Sequence, residues 1–169
     1  VTYVAPVGTD NCSGVTTART AGLASGSSFP VGVSTVTYTA TDGAGNTTSC
    51  SFTVTVVDNI PPVLACPSNI TTNATAGTCG KVVTYTAPVG TDNCSGVTTA
   101  RTAGLASGST FPVGVSTVTY TATDGAGNTT SCSFTVTVVD NIPPVLACPS
   151  NISVNAAAGT CGKVVTYVA

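Results

Sequence analysis

The sequence predicts an all-β fold in which antiparallel β-sandwich domains follow one another in tandem, and three observations support this prediction. Short stretches alternate between apolar and polar residues with a period of two, which is typical of half-buried strands. Clusters of Gly, Asn, Asp and Pro, which favour turns, separate these stretches. The whole pattern recurs after 82 residues, a length that suits one small, independently folding domain.

The repeat is almost unchanged between its two copies. Residues 1–82 and 83–164 differ at five positions, and residues 165–169 repeat residues 1–5. The five differences are Val4/Thr86, Ser28/Thr110, Thr71/Ser153, Thr72/Val154 and Thr75/Ala157. We therefore expect three tandem domains. Residues 1–58 form the C-terminal part of the first, residues 59–140 form a complete second domain, and residues 141–169 form the N-terminal part of a third.

The strands of the second domain can be placed in chain order. In residues 117–123, Val118, Tyr120 and Ala122 fall on one face and threonines fall on the other, which predicts a half-buried strand. Residues 132–138 and 83–87 alternate in the same way, and residues 63–73 and 97–102 are further candidates. Several short strands within about 80 residues indicate a two-sheet sandwich of the immunoglobulin type. The aromatic residues expected in its core are Tyr85, Phe111, Tyr120 and Phe134.

The composition excludes several classes of function. Only 6% of the residues are charged and the net charge is -2, so the chain has no basic surface for nucleic acid. The chain has no His, and the Ser-His-Asp and Cys-His catalytic constellations cannot be built without one. No apolar run approaches the roughly 18 residues that a membrane-spanning helix needs. We therefore expect no enzyme activity and no membrane insertion in this segment.

The eight cysteines favour disulfide bonds, because no two of them have the close spacing of a zinc site. Disulfides imply an oxidising, extracellular location. Of the three possible pairings within one repeat, we favour Cys66 with Cys132 and Cys79 with Cys94. The first pair begins the first and last strands, which are parallel neighbours in an immunoglobulin-type sandwich. The second pair flanks one strand and its return turn. The cysteines expected to pair with neighbouring copies are Cys148 with Cys50 and Cys161 with Cys12.

Acidic and amide side chains are expected to meet where one domain joins the next. Two turns of an immunoglobulin-type sandwich lie at the end where the chain enters, beside the linker from the preceding domain. The residues concerned are Asp58, Asn59, Asp92, Asp124 and Asn128. Their oxygen atoms are the ligand type that calcium prefers. The alternative is that these side chains only close Asx turns, in which case the protein has no cofactor.

Several segments resemble the hyalin repeat, or HYR, module. They are Asp58-Asn59-Ile60-Pro61-Pro62 with Cys66-Pro67, Phe111-Pro112-Val113-Gly114, residues 118–124, Gly127-Asn128 and Cys132-Ser133-Phe134-Thr135-Val136. The resemblance covers the whole chain. It implies an immunoglobulin-like extracellular module without catalytic activity, of the kind found in large surface or matrix proteins and in long bacterial adhesins. One departure from ordinary immunoglobulin domains is Tyr120-Thr121-Ala122, where Tyr-x-Cys would be expected.

These observations predict a structural function. We expect a segment of a long extracellular filament or cell-surface stalk, stiffened at each joint by Pro61 and Pro62 and their equivalents. The alternative is an adhesin whose repeats bind a glycan or protein ligand directly. The expected partner is the protein itself, arranged head to tail. Either the chain continues as one giant polypeptide, or residues 145–155 are donated as a strand to a neighbouring subunit.

Overall fold

A computed structural model describes residues 1–167 of the chain. The last two residues of the predicted third domain, Val168 and Ala169, lie outside the described residues. Nine β-strands and no helix occur in the described part. The strands are β1 (Thr16–Ala21), β2 (Gly32–Thr41), β3 (Thr47–Val56), β4 (Ile70–Asn73), β5 (Gly80–Val82), β6 (Thr98–Ala103), β7 (Thr110–Pro112), β8 (Gly114–Thr123) and β9 (Thr129–Val139). Between residues 1 and 167, no helix is long and apolar enough to span a membrane.

The strands fall into two consecutive units, which we call the first unit (residues 1–56) and the second unit (residues 57–139). The first unit contains one antiparallel sheet in the order β1-β2-β3. The second unit contains a four-stranded sheet in the order β4-β9-β8-β6 and a two-stranded sheet, β5-β7. The predicted all-β, immunoglobulin-like fold is confirmed.

The sheets are antiparallel except at one edge. Strand β4 runs parallel to β9, with Ile70 opposite Val136. The first and last strands of the unit are therefore parallel neighbours, as the sequence predicted. All other strand pairs in the described part of the chain are antiparallel.

Alternation along β8 and β9 creates the core of the second unit. Because successive side chains on a strand point to opposite faces, the apolar positions of both strands line the same interior. The buried cluster consists of Val83, Phe111, Val118, Tyr120, Phe134, Val136 and Val138. Three of the four aromatic residues predicted for the core are buried, and the fourth, Tyr85, packs against its edge.

The outer face of the same strands carries hydroxyl groups that pair across the sheet. The Thr119 and Ser133 hydroxyl oxygens lie 2.9 Å apart, and those of Thr121 and Ser131 lie 2.7 Å apart. Cross-strand hydroxyl pairs of this type stabilise a sheet. The threonine-rich face thus keeps the protein hydrated without charged side chains.

Two of the predicted strands differ from the structure. Residues 83–87 were expected to form a strand, but the strand ends at Val82, and only Val83 continues the backbone bonding, donating to the Ser109 carbonyl and accepting from the Gly108 amide. At Tyr85 a serine side chain takes the place of a backbone partner. The Tyr85 amide donates to the Ser107 hydroxyl, and that hydroxyl donates to the Tyr85 carbonyl, each at 2.8 Å. In residues 63–73 the strand is limited to β4, preceded by an isolated bridge between Val63 and Thr91.

Nearly identical sequences are buried to different extents in the two units. Strands β3 and β9 share the sequence TTSCSFTVTV, yet Val136 is fully buried while its equivalent Val54 is half-buried. In the second unit β4 extends the sheet beside β9, and the second sheet, β5-β7, adds Phe111 to the core, whereas the first unit contains three strands. Residues 140–167 form no strand, and apolar side chains such as Val145 and Leu146 are exposed there.

Candidate functional site

The segment that joins the two units is bonded to the second unit at both ends. The Asn128 side-chain amide donates a hydrogen bond to the Asp58 carbonyl at 3.1 Å. Further along, Val63 and Thr91 exchange two backbone hydrogen bonds of 2.7 and 2.9 Å. Between these points Pro62 is fully buried. The joint is therefore a packed part of the second unit and not a free linker.

Three of the polar side chains at this joint converge. The ligand atoms of Asp58, Asp92 and Cys94 all lie within 4.8 Å of one another. A hydrogen bond to Asp58 is the main cause that raises the pKa of the Cys94 thiol, and burial and the nearby carboxylates raise it further. Sequence reasoning grouped the two aspartates here but assigned the cysteine to a disulfide.

The other predicted calcium ligands lie close by but form a turn of their own. Asp124 is buried at the end of β8, where one carboxylate oxygen accepts from the Asn128 side chain at 2.8 Å. The second oxygen accepts from the backbone amides of Ala126 and Asn128. These bonds, with the Asn128 side chain as the largest contributor, lower the pKa of Asp124. Asn59 is exposed.

The hydrogen bonds at the joint favour the Asx-turn interpretation of these carboxylates. Asp58 accepts from the Ile60 amide at 3.1 Å, and Asp92 accepts from the Cys94 amide at 3.0 Å. Each acidic side chain therefore already stabilises a local turn. Calcium requires six to eight oxygen ligands, and a thiol occupies one of the three converging positions. The calcium site stays a prediction.

One disulfide closes the second unit. Cys66 is bonded to Cys132, with sulfur atoms 2.02 Å apart and Cα atoms 5.6 Å apart. This is the pair favoured by the sequence, and it bridges the segment before β4 to the strand β9 that β4 pairs with. Because the two cysteines are 66 residues apart, the bond closes most of the domain into one loop.

The second predicted pair, Cys79 with Cys94, is not formed in the structure, where both residues are free thiols. Cys79 accepts a hydrogen bond from the Val113 amide, next to the first residue of β8. Cys94 lies beside Asp58 and Asp124, at the other end of β8. Ten residues of β8 separate the two ends, which is roughly 30 Å at strand geometry.

That separation is far beyond the reach of a disulfide, whose Cα atoms lie within about 7 Å. The same correction applies to the equivalent pairing proposed between copies, Cys161 with Cys12, because it joins the same two positions of the repeat. Cys12, Cys50, Cys148 and Cys161 are free thiols in this chain, and the bond from Cys148 to Cys50 of a neighbouring copy stays a prediction. Sequence reasoning treated residues 79–94 as one strand and its return turn, although the chain crosses the full length of the unit between them.

Val31 is a residue of the joint that sequence reasoning missed. It belongs to the first unit, yet it lines a cleft of about 340 Å³ together with residues of the second unit. The other residues of this cleft are Asp58, Cys94, Ser95, Gly125 and Ala126. Its position in the repeat, equivalent to Val113, carries no polar or periodic signal that marks an interface.

A family comparison matches both units. The model of the HYR domain matches residues 1–56 and 57–138. The chain belongs to the HYR domain family. The two HYR matches meet between Val56 and Val57, at the start of the segment described above.

Named relatives of this HYR chain include two hyalins and a bacterial adhesin. Hyalin of Strongylocentrotus purpuratus is 42% identical over 148 residues, which cover 84% of this chain and 12% of that protein. Hyalin of Lytechinus variegatus is 41% identical over 174 residues, covering 99% of this chain and 32% of the hyalin. The "Serine-rich adhesin for platelets" of Staphylococcus aureus strain MRSA252 is 33% identical over 155 residues, or 79% of this chain and 11% of the adhesin. The HYR chain thus spans less than a third of each relative.

Proposed function

We propose that this chain is a segment of a long extracellular stalk or filament, in which tandem HYR domains act as stiff, non-catalytic spacers at a cell surface. The observation that carries the proposal is the joint. Its segment is hydrogen-bonded to the second unit through Asp58 and through Val63. Because β3 ends at Val56 and the segment is anchored from Asp58 onward, Val57 alone lies between the two, and we expect successive domains to keep one angle and form a rod.

Two further features support the spacer function. The consecutive prolines 61 and 62 restrict the backbone to an extended course, and the disulfide between Cys66 and Cys132 stabilises a domain with a small core. Relatives named hyalin and adhesin agree with an extracellular location. Their names alone do not assign a ligand to this chain.

Small-angle X-ray scattering of the full chain tests the stiffness of the joint. We expect one fixed arrangement of the two units to fit the data from the unaltered chain. The double substitution Pro61→Gly and Pro62→Gly should broaden the distribution of distances between the units. The matched control is Pro143→Gly with Pro144→Gly, which alters the equivalent dipeptide after the second unit. Scattering from the unaltered chain that required a flexible ensemble would exclude a stiff spacer.

The proposed partner of each unit is the next copy of the repeat, head to tail. Residues 143–164 repeat, with three differences, the sequence that forms β4 and β5 in the second unit. In the second unit β4 pairs with the last strand of the same domain. Denaturing gels of the natural protein separate two arrangements: one very large band with and without reductant supports a giant chain, and bands that become small only on reduction support strand donation. A small band under both conditions would contradict the array.

Direct adhesion is a second candidate function, and the similarity to the platelet adhesin favours it. The surface available for such binding is the hydroxyl face that includes Thr119 and Thr121. The aromatic rings pack against one another within each unit, for example Tyr85 with Phe134 at 5.0 Å between centroids. A glycan array probed with the full chain tests adhesion, and a signal that Thr119→Ala with Thr121→Ala abolishes would support it.

A further inference from the structure

The two free cysteines of the second unit lie at its two opposite ends. Cys94 is at the end where the chain enters, beside Asp58. Cys79 is at the end where the chain leaves, beside Val113 and the first residue of β8. Because the units follow one another in tandem, the exit end of one unit faces the entry end of the next. Each joint therefore brings one cysteine of each kind to the same place.

Hydrogen bonds hold Cys79 in a fixed position at the exit end. The Val113 amide donates to the Cys79 carbonyl at 3.0 Å. The preceding turn is closed by a bond of 2.9 Å from the Thr75 amide to the Gly80 carbonyl. Within this turn the Thr78 hydroxyl lies within hydrogen-bond distance of the same carbonyl, at 3.0 Å. Cys79 itself is exposed, so its thiol is accessible.

The first unit shows where that exit end lies relative to the next domain. Val31 is the repeat equivalent of Val113, and it lines the same cleft as Cys94 and Asp58. In a complete preceding unit, the carbonyl of the cysteine equivalent to Cys79 would accept from the Val31 amide, as the Cys79 carbonyl accepts from Val113. That cysteine would consequently lie at the cleft that contains Cys94.

We propose that each joint of the array carries a disulfide between the cysteine equivalent to Cys79 in one unit and the cysteine equivalent to Cys94 in the next. The two positions are 97 residues apart in the sequence. Bond formation oxidises both thiols to one disulfide and reduces a disulfide oxidant, such as glutathione disulfide, to two thiols. The two protons of the cysteine thiols pass to the released thiols.

This bond goes beyond the proposed spacer function, because it is a covalent modification site with its own readout. It complements the bond between Cys66 and Cys132, which closes a single domain. A stalk with both kinds of bond is cross-linked within each domain and across each joint. The scattering experiment above measures stiffness, so the spacer function and the disulfide can fail separately.

The test uses the full chain preceded by a second copy of residues 57–82, which completes the first unit. The extended chain is oxidised with glutathione disulfide in dilute solution, isolated as a monomer, alkylated and digested with trypsin without reductant. Trypsin cuts after Lys81 and Arg101 and releases residues 82–101, whose single cysteine is Cys94. The corresponding peptide with Cys12 differs in mass, because residue 4 is Val and residue 86 is Thr.

Two matched variants identify the partner of Cys94. We expect peptide 82–101 to be cross-linked in the extended chain and to be released as a free alkylated peptide when serine replaces Cys79 in the added copy. The variant Cys79→Ser in the original position should leave the cross-link intact. The proposal is overturned if the peptide is free in the extended chain, if Cys79→Ser at the original position releases it, or if neither serine variant does.

Discussion

The side-chain amide of Asn128 donates a hydrogen bond of 3.1 Å to the backbone carbonyl of Asp58 and so connects the last turn of the second unit to the chain that leaves the first. Asn128 reaches this position because its other contacts fix the turn. Its side chain also donates to Asp124, and its backbone amide donates to the same carboxylate. One asparagine therefore closes a turn and anchors the joint.

Asn128→Ala should loosen the joint more than the equivalent change in the first unit. Asn46 forms the same bonds to Asp42 that Asn128 forms to Asp124, so Asn46→Ala is a matched control that removes a turn bond only. Losing the bond to the Asp58 carbonyl should cost about 1 kcal/mol. We expect the Val63 amide to exchange with solvent about fivefold faster in Asn128→Ala. Equal exchange rates in the two variants would show that the bond does not anchor the joint.

Cys132→Ser should strongly destabilise the second unit, whereas Cys50→Ser should have little effect. Cys132 closes a loop of 66 residues, for which the chain-entropy estimate is about 4 kcal/mol. Cys50 occupies the equivalent position of the first unit as an exposed free thiol. Urea unfolding of both variants measures the difference. Similar losses in the two variants would contradict a stabilising function of the disulfide.

The sequence predicted the fold well wherever a pattern of two-residue periodicity was long. Strands β8 and β9 each extend over ten or more residues, and their buried faces are the predicted ones. The prediction failed for residues 83–87, because backbone pairing stops after Val83 and the Ser107 side chain takes the place of a strand partner at Tyr85. An alternating pattern indicates which face of a strand is buried. It does not indicate whether the backbone will form hydrogen bonds with another strand or with a side-chain hydroxyl group.

The candidate site was less predictable, because it depends on which ends of the domain the residues reach. Local spacing grouped Cys79 with Cys94, but the length of β8 separates them. The convergence of Asp58 and Asp92 was predictable from the order of turns in a sandwich. The part played by Val31 was not, since a single valine in a turn has no distinguishing pattern in one sequence.

Calcium should raise the thermal stability of the chain only if the joint binds it. The hydrogen bonds that Asp92 and Asp58 already accept lead us to expect no shift of the unfolding midpoint up to about 10 mM calcium. A site with a Kd of about 0.1 mM would instead add about 2.7 kcal/mol at that concentration. The matched control is Asp10, which closes the same turn in the first unit. A calcium-dependent shift that Asp92→Asn removes and Asp10→Asn retains would establish the metal site.

Tyr85 should make the second unit sensitive to alkaline pH. Burial, reinforced by the Tyr120 hydroxyl, raises its pKa to about 12 from an ordinary value of 10.0. The folded state therefore favours the neutral phenol, and the stabilisation is complete below pH 10 and is lost as the pH rises toward 12. Tyr85→Phe removes this titration, so the variant should lose less stability across that range in urea unfolding. The control is Tyr167→Phe, at an exposed position. The free energy of unfolding of this variant should depend on pH in the same way as that of the unaltered chain.

Val136→Ala and Val54→Ala should measure what the N-terminal strands β4 and β5 contribute to the burial of β9 in an HYR domain. The two valines occupy the same position of identical strands, each flanked by an identical preceding strand. They differ in their other neighbour, because Val136 pairs with Ile70 of β4 and is fully buried. Removing two buried carbon atoms costs about 1.6 kcal/mol in transfer free energy, and the cavity left behind adds to this.

We therefore expect a loss of about 2 kcal/mol for Val136→Ala and less than half of that for Val54→Ala, whose side chain is half-buried. Urea unfolding of the full chain measures both variants against the same reference. The chain with a second copy of residues 57–82 in front of Val1 should raise the cost of Val54→Ala to that of Val136→Ala, since the added copy supplies the missing equivalents of β4 and β5. A cost for Val54→Ala that the added copy leaves unchanged would mean that the burial of this face does not depend on the equivalents of β4 and β5.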